Sequence, residues 1–600
     1  MDSSFNIAKQ CLQRVPFQLL AHRRLPYAPL KIAPTKPCMV PHNTRHCVRN
    51  ALSPISEPDL LESAQRRSAG YEPSAWGGYF ISHSTTCLKP QEFVEGRIKE
   101  LKEEVATTLR STTDVVEMMN LVDTIERLGI NYHFKREIED ALTYLLDAKL
   151  DDADLHQVAL RFRLLRQHGF NVSSDEFYKF THEGDNLDEK LCKDARGLLS
   201  LYNAGFLAIP GESILDEAIL FARRQLKLMV HELKSPLKEQ VLRALKTPLP
   251  RMMRRVETRF FIEEYEEDEK RNDILLELAK LDYNFVQSLH SKEIKDLSLW
   301  WKELDGVNDL KYARDRLVEI YTAFSLGTYY EPEFSRARMM LTKFYTLWVL
   351  MDDTFDIYGT YEECKLLNEA IQRWDEKAAD SLPLYLRQLY LGYIRTINGF
   401  GDDLEPCEQY RMSYFIEAIK LRFSNSWMQE VVWRAEGYLP TFKERKKTTV
   451  DYVASADAVC AILIGIGEVV TEEILRWLTD LPEIVIDHTA LARYTDDIVS
   501  YEREVTKSKQ LPTTIACYMI ENNLTKEQAS EEFLFMRHEL WKRLNQACLR
   551  PTVVPMPIIE LFIDYNRAIE TIYLHFDNGF NESIPLKELI AKLLVEPIPL

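Results

Sequence analysis

Residues that break helices are scarce in this chain: 20 Gly and 26 Pro among 600 residues leave long windows uninterrupted. Strand-like alternation is equally scarce, and hydrophobic residues recur at helical spacing, so the sequence predicts an all-α protein. Close cysteine pairs are missing. Ten Cys stand scattered with no CxxC, which excludes a disulfide framework and a zinc site and leaves reduced thiols. The longest apolar run, Ala458 to Gly467, is about half of a membrane span, so no membrane span is expected. Positive charge is in deficit, with a net charge of −18. That argues against nucleic acid, whose phosphate backbone needs a basic footprint. It does not exclude a small anionic substrate, because bound divalent cations reverse the sign locally.

At this length one core cannot serve the whole chain, and two large helical domains are expected. Residues 1–50 differ from the rest, with eight Lys or Arg against the single acid Asp2. This acid-poor profile reads as an organelle transit peptide, with a disordered basic tail as the alternative. The expected division is therefore 1–55 for this leader, 56–285 for an N-terminal helical domain and 286–600 for a C-terminal domain. In the first domain Phe93, Val94, Ile98, Leu101, Val105 and Leu109 form a helical stripe. Asp114 with Glu117 resembles a capping box, opening a helix that Gly129 stops. Ser235-Pro236 is a further start signal.

What chemistry the chain has is concentrated in two acidic rows. The first follows the apolar run 344–349 and reads Asp352-Asp353-Thr354-Phe355-Asp356, with no Gly or Pro between Pro332 and Gly359. On a helix Asp352 and Asp356 project from one face about a turn apart. Carboxylates so placed repel, and as hard oxygen ligands they suit Mg²⁺ or Mn²⁺ better than zinc. The second row is Asp496, Ser500 and Glu504, three oxygen donors at four-residue steps. Such a row coordinates a hard cation jointly with substrate oxygens, although i,i+4 charges are also common on solvated helices. Arg493, three residues before Asp496, could grip a phosphate with its planar fork. Arg314 and Arg316 stand two apart, so they serve one site only near a helix end or bend. A tandem Arg66-Arg67 precedes Trp76 with eight residues between. Spacing alone gives that segment no role.

Taken together, these landmarks resemble those of plant class I terpene synthases from about Arg66 to Leu600. The matching segments are RRx8W at Arg66–Trp76, RDR at Arg314–Arg316, DDxxD at Asp352–Asp356 and DDxxSxxxE at Asp496–Glu504. The resemblance implies a C-terminal class I terpenoid synthase fold with an active-site cavity, and an N-terminal helical barrel-like domain without catalytic work. It implies that Asp352, Asp356, Asp496, Ser500 and Glu504 bind three Mg²⁺, with Mn²⁺ as a substitute. It further implies that Arg314, Arg316 and Arg493 hold a diphosphate, that Trp301, Tyr573 and Phe580 line the pocket, and that Arg66, Arg67 and Trp76 form a lid. The protonation motif DxDD is absent, since Asp151-Asp152-Ala153-Asp154 has the wrong order, so the reaction implied starts by ionisation. Two stretches depart from the pattern: Asp577-Asn578-Gly579-Phe580 lacks the usual phenol, and Val505–Lys509 replaces the usual Lys-Arg-Gly run.

The activity implied is a diphosphate-releasing carbon-oxygen lyase acting on an acyclic prenyl diphosphate. Metals and arginines would stabilise the departing diphosphate, and aromatic faces would steer the carbocation in a dry cavity. The N-terminal leader favours geranyl diphosphate, a monoterpene product and a plastid location. The segments Ser325 to Lys343 and Leu278 to Trp301 favour farnesyl diphosphate, a sesquiterpene product and the cytoplasm; because compartment decides which substrate is present, geranyl diphosphate is the expectation and farnesyl diphosphate the alternative. A chain-elongating prenyl diphosphate synthase would need a final Asp where Ser500 stands. A catalytically inactive scaffold is the alternative from another class. A monomer or weak homodimer is expected.

Overall fold

Helices begin where the sequence supplies caps and stop where it supplies glycine, and a computed structural model shows both along the chain. It describes residues 70–600 apart from 84–90, 151, 183–185, 305, 308–309, 452–454, 505–512 and 575–577. The leader, Arg66 and Arg67, and Val505–Lys509 lie outside the described residues. The fold is all-α in two helical domains; β structure among the described residues is one two-stranded ribbon, Thr181–His182 with Asn186–Leu187.

Helix α1 (Gln91–Ser111) buries Val94, Ile98, Leu101, Val105 and Leu109 as the stripe requires, but Phe93, on the flank of that stripe, is 55 % exposed. Helix α2 (Val115–Arg127) is capped by the Asp114 carboxylate, which accepts from Glu117 N–H at 2.8 Å. The reciprocal Glu117 contact of a full capping box does not form. Gly129 ends this helix at φ +71°, where a Cβ would come within 2.5 Å of Thr258 Oγ1. After Ser235-Pro236 a helix runs Leu237–Lys246, with Pro236 at its cap position.

Helices α3 (Arg254–Glu266) and α4 (Asp273–Glu303) carry the chain from one core to the other. The 31-residue α4 passes through 285–286 without a break; Leu275 to Tyr283 face the N-terminal core, while Ile294 and Leu297 join a cluster with Trp76 and Phe80. The largest cluster of buried apolar residues spans 307–580 and surrounds the acidic rows. Residues 68–600 form one compact unit.

Two buried ion pairs fix the helices that hold the rows. Arg338, on α5 (Ser335–Asp353), donates to Glu293 of α4 at 2.7 and 2.9 Å, and Tyr321 Oη donates to the same carboxylate at 2.7 Å. Helix α6 is Met428–Glu436 and α7 is Glu483–Arg503. Helices α8 (Thr514–Asn522), α9 (Lys526–Ala547) and α10 (Met556–Ile569) pack around α7. Arg537 of α9 ties them, donating to Thr495 Oγ1 of α7 and to Glu570, both at 2.7 Å. Severing either pair would strand a buried charge, a loss of roughly 3–5 kcal/mol.

The C-terminal helix α11 (Lys587–Leu594) is stopped by side chains of α4. Gln287 Nε2 donates to the carbonyls of Lys592, Leu593 and Glu596 at 3.1–3.2 Å, and Ser291 Oγ to Leu594 O at 2.7 Å. These side chains satisfy terminal carbonyls that the helix itself cannot. No helix among the described residues is long and apolar enough to cross a membrane. The six described cysteines are thiols.

Candidate active site

The two acidic rows meet across one cavity, and α5 and α7 are its facing walls. Tyr345, Trp348, Val349, Asp352, Asp353 and Asp356 line it from the first wall. His488, Thr489, Ala492, Arg493, Asp496 and Glu504 line it from the second. Tyr573, Phe580 and Asn578 close the side, and Tyr71 the mouth.

The first row is not a plain α-helical face. Helix α5 ends at Asp353, and Thr354–Tyr358 forms a π turn, closed by Gly359 N–H on Thr354 O at 2.7 Å. The extra residue in that turn re-aims the carboxylate of Asp356, and such turns gather at functional sites. Burial, the facing Asp356 and the neighbouring Asp353 and Glu430 push Asp352 well above the usual carboxylate range, against the opposing pull of Arg314. Asp356 is pushed up to about 6, by burial first and then by Glu430. Arg314 offsets part of this charge: its Nη2 donates to Asp352 at 2.8 Å, and its N–H and Nε donate to Asp353 at 2.8 and 3.1 Å. Arg434 of α6 holds the backbone beneath, donating to Phe355 O at 2.8 Å.

Asp496 and Ser500 of the second row stand on regular α-helix, and Glu504 follows at the cap position just past the end of α7. Ser500 Oγ donates to Asp496 at 2.6 Å and accepts from Asn578 Nδ2 at 2.6 Å, while Asn578 also reaches Asp496 at 3.3 Å. Arg493 bridges Asp496 and, at 3.0 Å, Asp497. Burial, with Asp496 as the next cause, drives Glu504 well above its ordinary range, and Asp356 of the opposite wall adds to the push. The two rows thus repel one another across the gap.

Three expected residues lie elsewhere. Arg316 is fully buried and donates to the carbonyls of Phe580 (2.8 Å), Asn581 (3.0 Å) and Glu72 (2.9 Å), so it shapes the cavity rim without entering the cavity. The bend after Arg314 turns the two guanidinium groups apart. Trp301 packs beside Trp300 at the edge of the core and is not a lining residue. Trp76 is buried against Tyr79 and Phe80, an anchor for the segment and not its cover. Among the described residues of that segment, Tyr71 is the one that lines the cavity, its ring 5.1 Å from the Arg314 guanidinium and 4.8 Å from that of Arg503. Tyr573 and Phe580 do line the cavity.

Sequence reasoning missed several groups that the structure brings in. Tyr71 stood inside the segment ending at Trp76, and Asn578 inside the departing C-terminal stretch. Tyr345 and Tyr565, whose hydroxyls are hydrogen-bonded to each other, build an aromatic floor with Phe324, which stacks on Tyr345 at 4.9 Å and Phe580 at 5.3 Å. His488 continues the four-residue ladder of Ala492, Asp496, Ser500 and Glu504 backward, and extending that ladder would have found it.

The donor set fits hard divalent cations. Among the described residues no three acidic, His or Cys side chains converge on one point to hold an ion by themselves. Mg²⁺ takes hard oxygen donors, one or two carboxylates together with substrate phosphates, and the donors of the two rows are of that kind. Raised, mutually repelling carboxylates beside Arg314 and Arg493 are a site for cations and an anion together.

Known proteins match this arrangement along nearly the whole chain. Residues 302–543 match the model of the terpene synthase family, metal binding domain, and residues 75–245 that of the terpene synthase N-terminal domain. The chain is 41% identical over 535 residues to alpha-humulene synthase of Zingiber zerumbet, covering 89% of this chain and 97% of that one. It is 39% identical over 550 residues to a sesquiterpene synthase of Cananga odorata, covering 90% and 97%. Isoprene synthase from grey poplar leaves, solved with three Mg²⁺ ions and dimethylallyl-S-thiolodiphosphate, superposes with a TM-score of 0.79 at 30% identity over 84% of this chain and 98% of that one.

Proposed function

Since the chain belongs to the terpene synthase family and is a class I, metal-dependent lyase, we propose that it ionises farnesyl diphosphate and converts the cation to a sesquiterpene. The observation that carries this is the pair of oxygen-donor rows, each with its own arginine, facing one aromatic-floored cavity. The C15 substrate is supported by the relatives, one of them named a sesquiterpene synthase, and by the segments Ser325 to Lys343 and Leu278 to Trp301. The leaning toward geranyl diphosphate gives way to this support. Its remaining basis is the basic leader, which would carry the chain to a plastid; a fluorescent fusion of residues 1–69 tests that address.

Asp352 and Asp356 from one wall, and Asp496, Ser500 and Glu504 from the other, would hold Mg²⁺, three ions by analogy with the isoprene synthase complex. Bound there, the cations supply positive charge to the leaving diphosphate. Arg314 and Arg493 sit beside the rows and orient the anion. Asn578 holds Ser500 and Asp496 in register, and Tyr71 covers the mouth against water. The floor of Phe324, Tyr345, Tyr565 and Phe580 offers π faces to a cation, each worth about 0.5–2 kcal/mol when desolvated.

Purified protein with Mg²⁺ and either farnesyl or geranyl diphosphate tests the reading directly. Diphosphate release and volatile C15 product from farnesyl diphosphate are expected, with lower turnover of the C10 substrate. Diphosphate release from neither would favour the inactive scaffold.

A further inference from the structure

The deep end of the cavity, away from both acidic rows, holds an imidazole whose protonation the structure fixes. His488 lies eight residues before Asp496 on α7, about 12 Å along the helix. It is 1 % exposed, edge-on to Tyr565 at 4.9 Å and to Phe562 at 5.4 Å, and it lines the cavity. Burial pushes it down to about 3, so the ring is neutral at any working pH.

Asn566 decides the tautomer. Its Nδ2 lies 2.8 Å from Phe562 O and 2.8 Å from His488 Nδ1. Reversing the amide would set Oδ1 against a carbonyl oxygen, so the nitrogen faces both partners and donates to each. His488 Nδ1 is then the acceptor, and the proton sits on Nε2. Nε2 has no hydrogen-bond partner among the described residues and is not sealed away from the cavity. The ring therefore offers no free lone pair and cannot serve as a base. It presents an N–H donor to a chamber built for a hydrocarbon. A prenyl chain has no acceptor at that depth, because its oxygens belong at the rows. Water is the acceptor that fits: it takes the Nε2 hydrogen with one lone pair and keeps the other free. Thr489, Tyr345 and Tyr565 line the same cavity, and their hydroxyl oxygens are of the kind that supplies the further polar partners a buried water needs.

We propose that His488 Nε2–H holds a water molecule at the closed end of the cavity and that this water captures the carbocation, making the principal product a terpene alcohol. The water oxygen lone pair forms the new C–O bond. One O–H bond then breaks and its proton is lost to water as the alcohol and the diphosphate leave, so no oxidant or further reactant is needed. His488 acts through the water, and Asn566 acts through His488; both are positioning residues. The inference rests on the ionising reaction proposed above.

The test is turnover with Mg²⁺ and farnesyl diphosphate, or geranyl diphosphate, in water labelled with oxygen-18. Diphosphate is assayed separately from the volatiles. The wild-type chain is expected to release mainly an alcohol carrying the label. In His488→Phe the alcohol-to-hydrocarbon ratio should fall about ten-fold or more, whereas His488→Gln, which restores an N–H donor, should keep it within about three-fold of wild type. The ratio does not depend on how fast a variant turns over. Hydrocarbons alone from the wild type, with diphosphate released, would overturn the proposal even if no variant folds. An unchanged ratio in His488→Phe would overturn it as well. Absence of diphosphate release from either substrate would instead sink the underlying reaction, and the inference with it.

Discussion

The two walls of the cavity carry the same spacing in sequence and achieve it by different means. On α7 Asp496 and Ser500 stand on regular α-helix, clipped together from outside by Asn578, and Glu504 follows at the helix cap. On α5 the helix gives out at Asp353, and a π turn delivers Asp356. The α5 wall is tied by Arg314 from the cavity side and by Arg434 from beneath, the α7 wall by a neutral side-chain clamp and Arg493. A ladder of donors is thus legible from spacing, whereas the backbone that presents it is set by what packs behind. The deep ends differ too: Tyr345 and Trp348 on one side, His488 and Thr489 on the other.

Breaking either row should do equal damage. Asp352→Asn and Asp496→Asn are each expected to lower kcat/KM on the order of 10³-fold, with helical circular dichroism unchanged. A loss confined to one wall would end the symmetry of role. Arg316→Met sharpens the distinction between the two arginines after residue 313. It strips partners from several buried carbonyls, so unfolding in urea should show a loss of about 2–4 kcal/mol. Binding of inorganic diphosphate should weaken far more in Arg314→Met than in Arg316→Met.

Asn578→Leu removes the clamp that only the second wall has. A 10–100-fold rise in the Mg²⁺ concentration needed for half-maximal rate is the expected magnitude. The smallest effect concerns stability and the deep end of α7. His488 in the folded chain is depressed to about 3 from its ordinary 6.5, so its contribution is full above pH 6.5 and lost as pH falls toward 3. Between pH 7 and 5 that amounts to roughly 2 kcal/mol. Chemical denaturation of His488→Gln against wild type at the two pH values measures it, and a difference that stays constant with pH would remove the buried neutral imidazole.

The rows were visible in the sequence because carboxylates and a hydroxyl at helical spacing need no tertiary knowledge to share a face. Arg314, Arg493, Tyr573 and Phe580 also fell where the resemblance put them. Arg316 and Trp301 did not, since a bend in the backbone and the packing of α4 decide which way those side chains turn. Trp76 and Tyr71 exchange roles for a similar reason: the larger ring fills a core hole beside α11, which leaves the smaller one between Arg314 and Arg503. Phe93 shows the limit of stripe reasoning, because a helix flank is buried only where a neighbour covers it. His488 and Asn578 carry no motif of their own, and their meaning comes from Asn566 and Ser500, residues remote in the chain.

Calorimetric titration of inorganic diphosphate, with and without Mg²⁺, into the wild type, Asp352→Ala, Asp496→Ala and the double variant tests most directly whether both walls hold one ligand. Binding in the wild type should require Mg²⁺, and each single variant should lose as much affinity as the double. Equal binding without Mg²⁺, or losses that add independently across the two walls, would contradict a shared site.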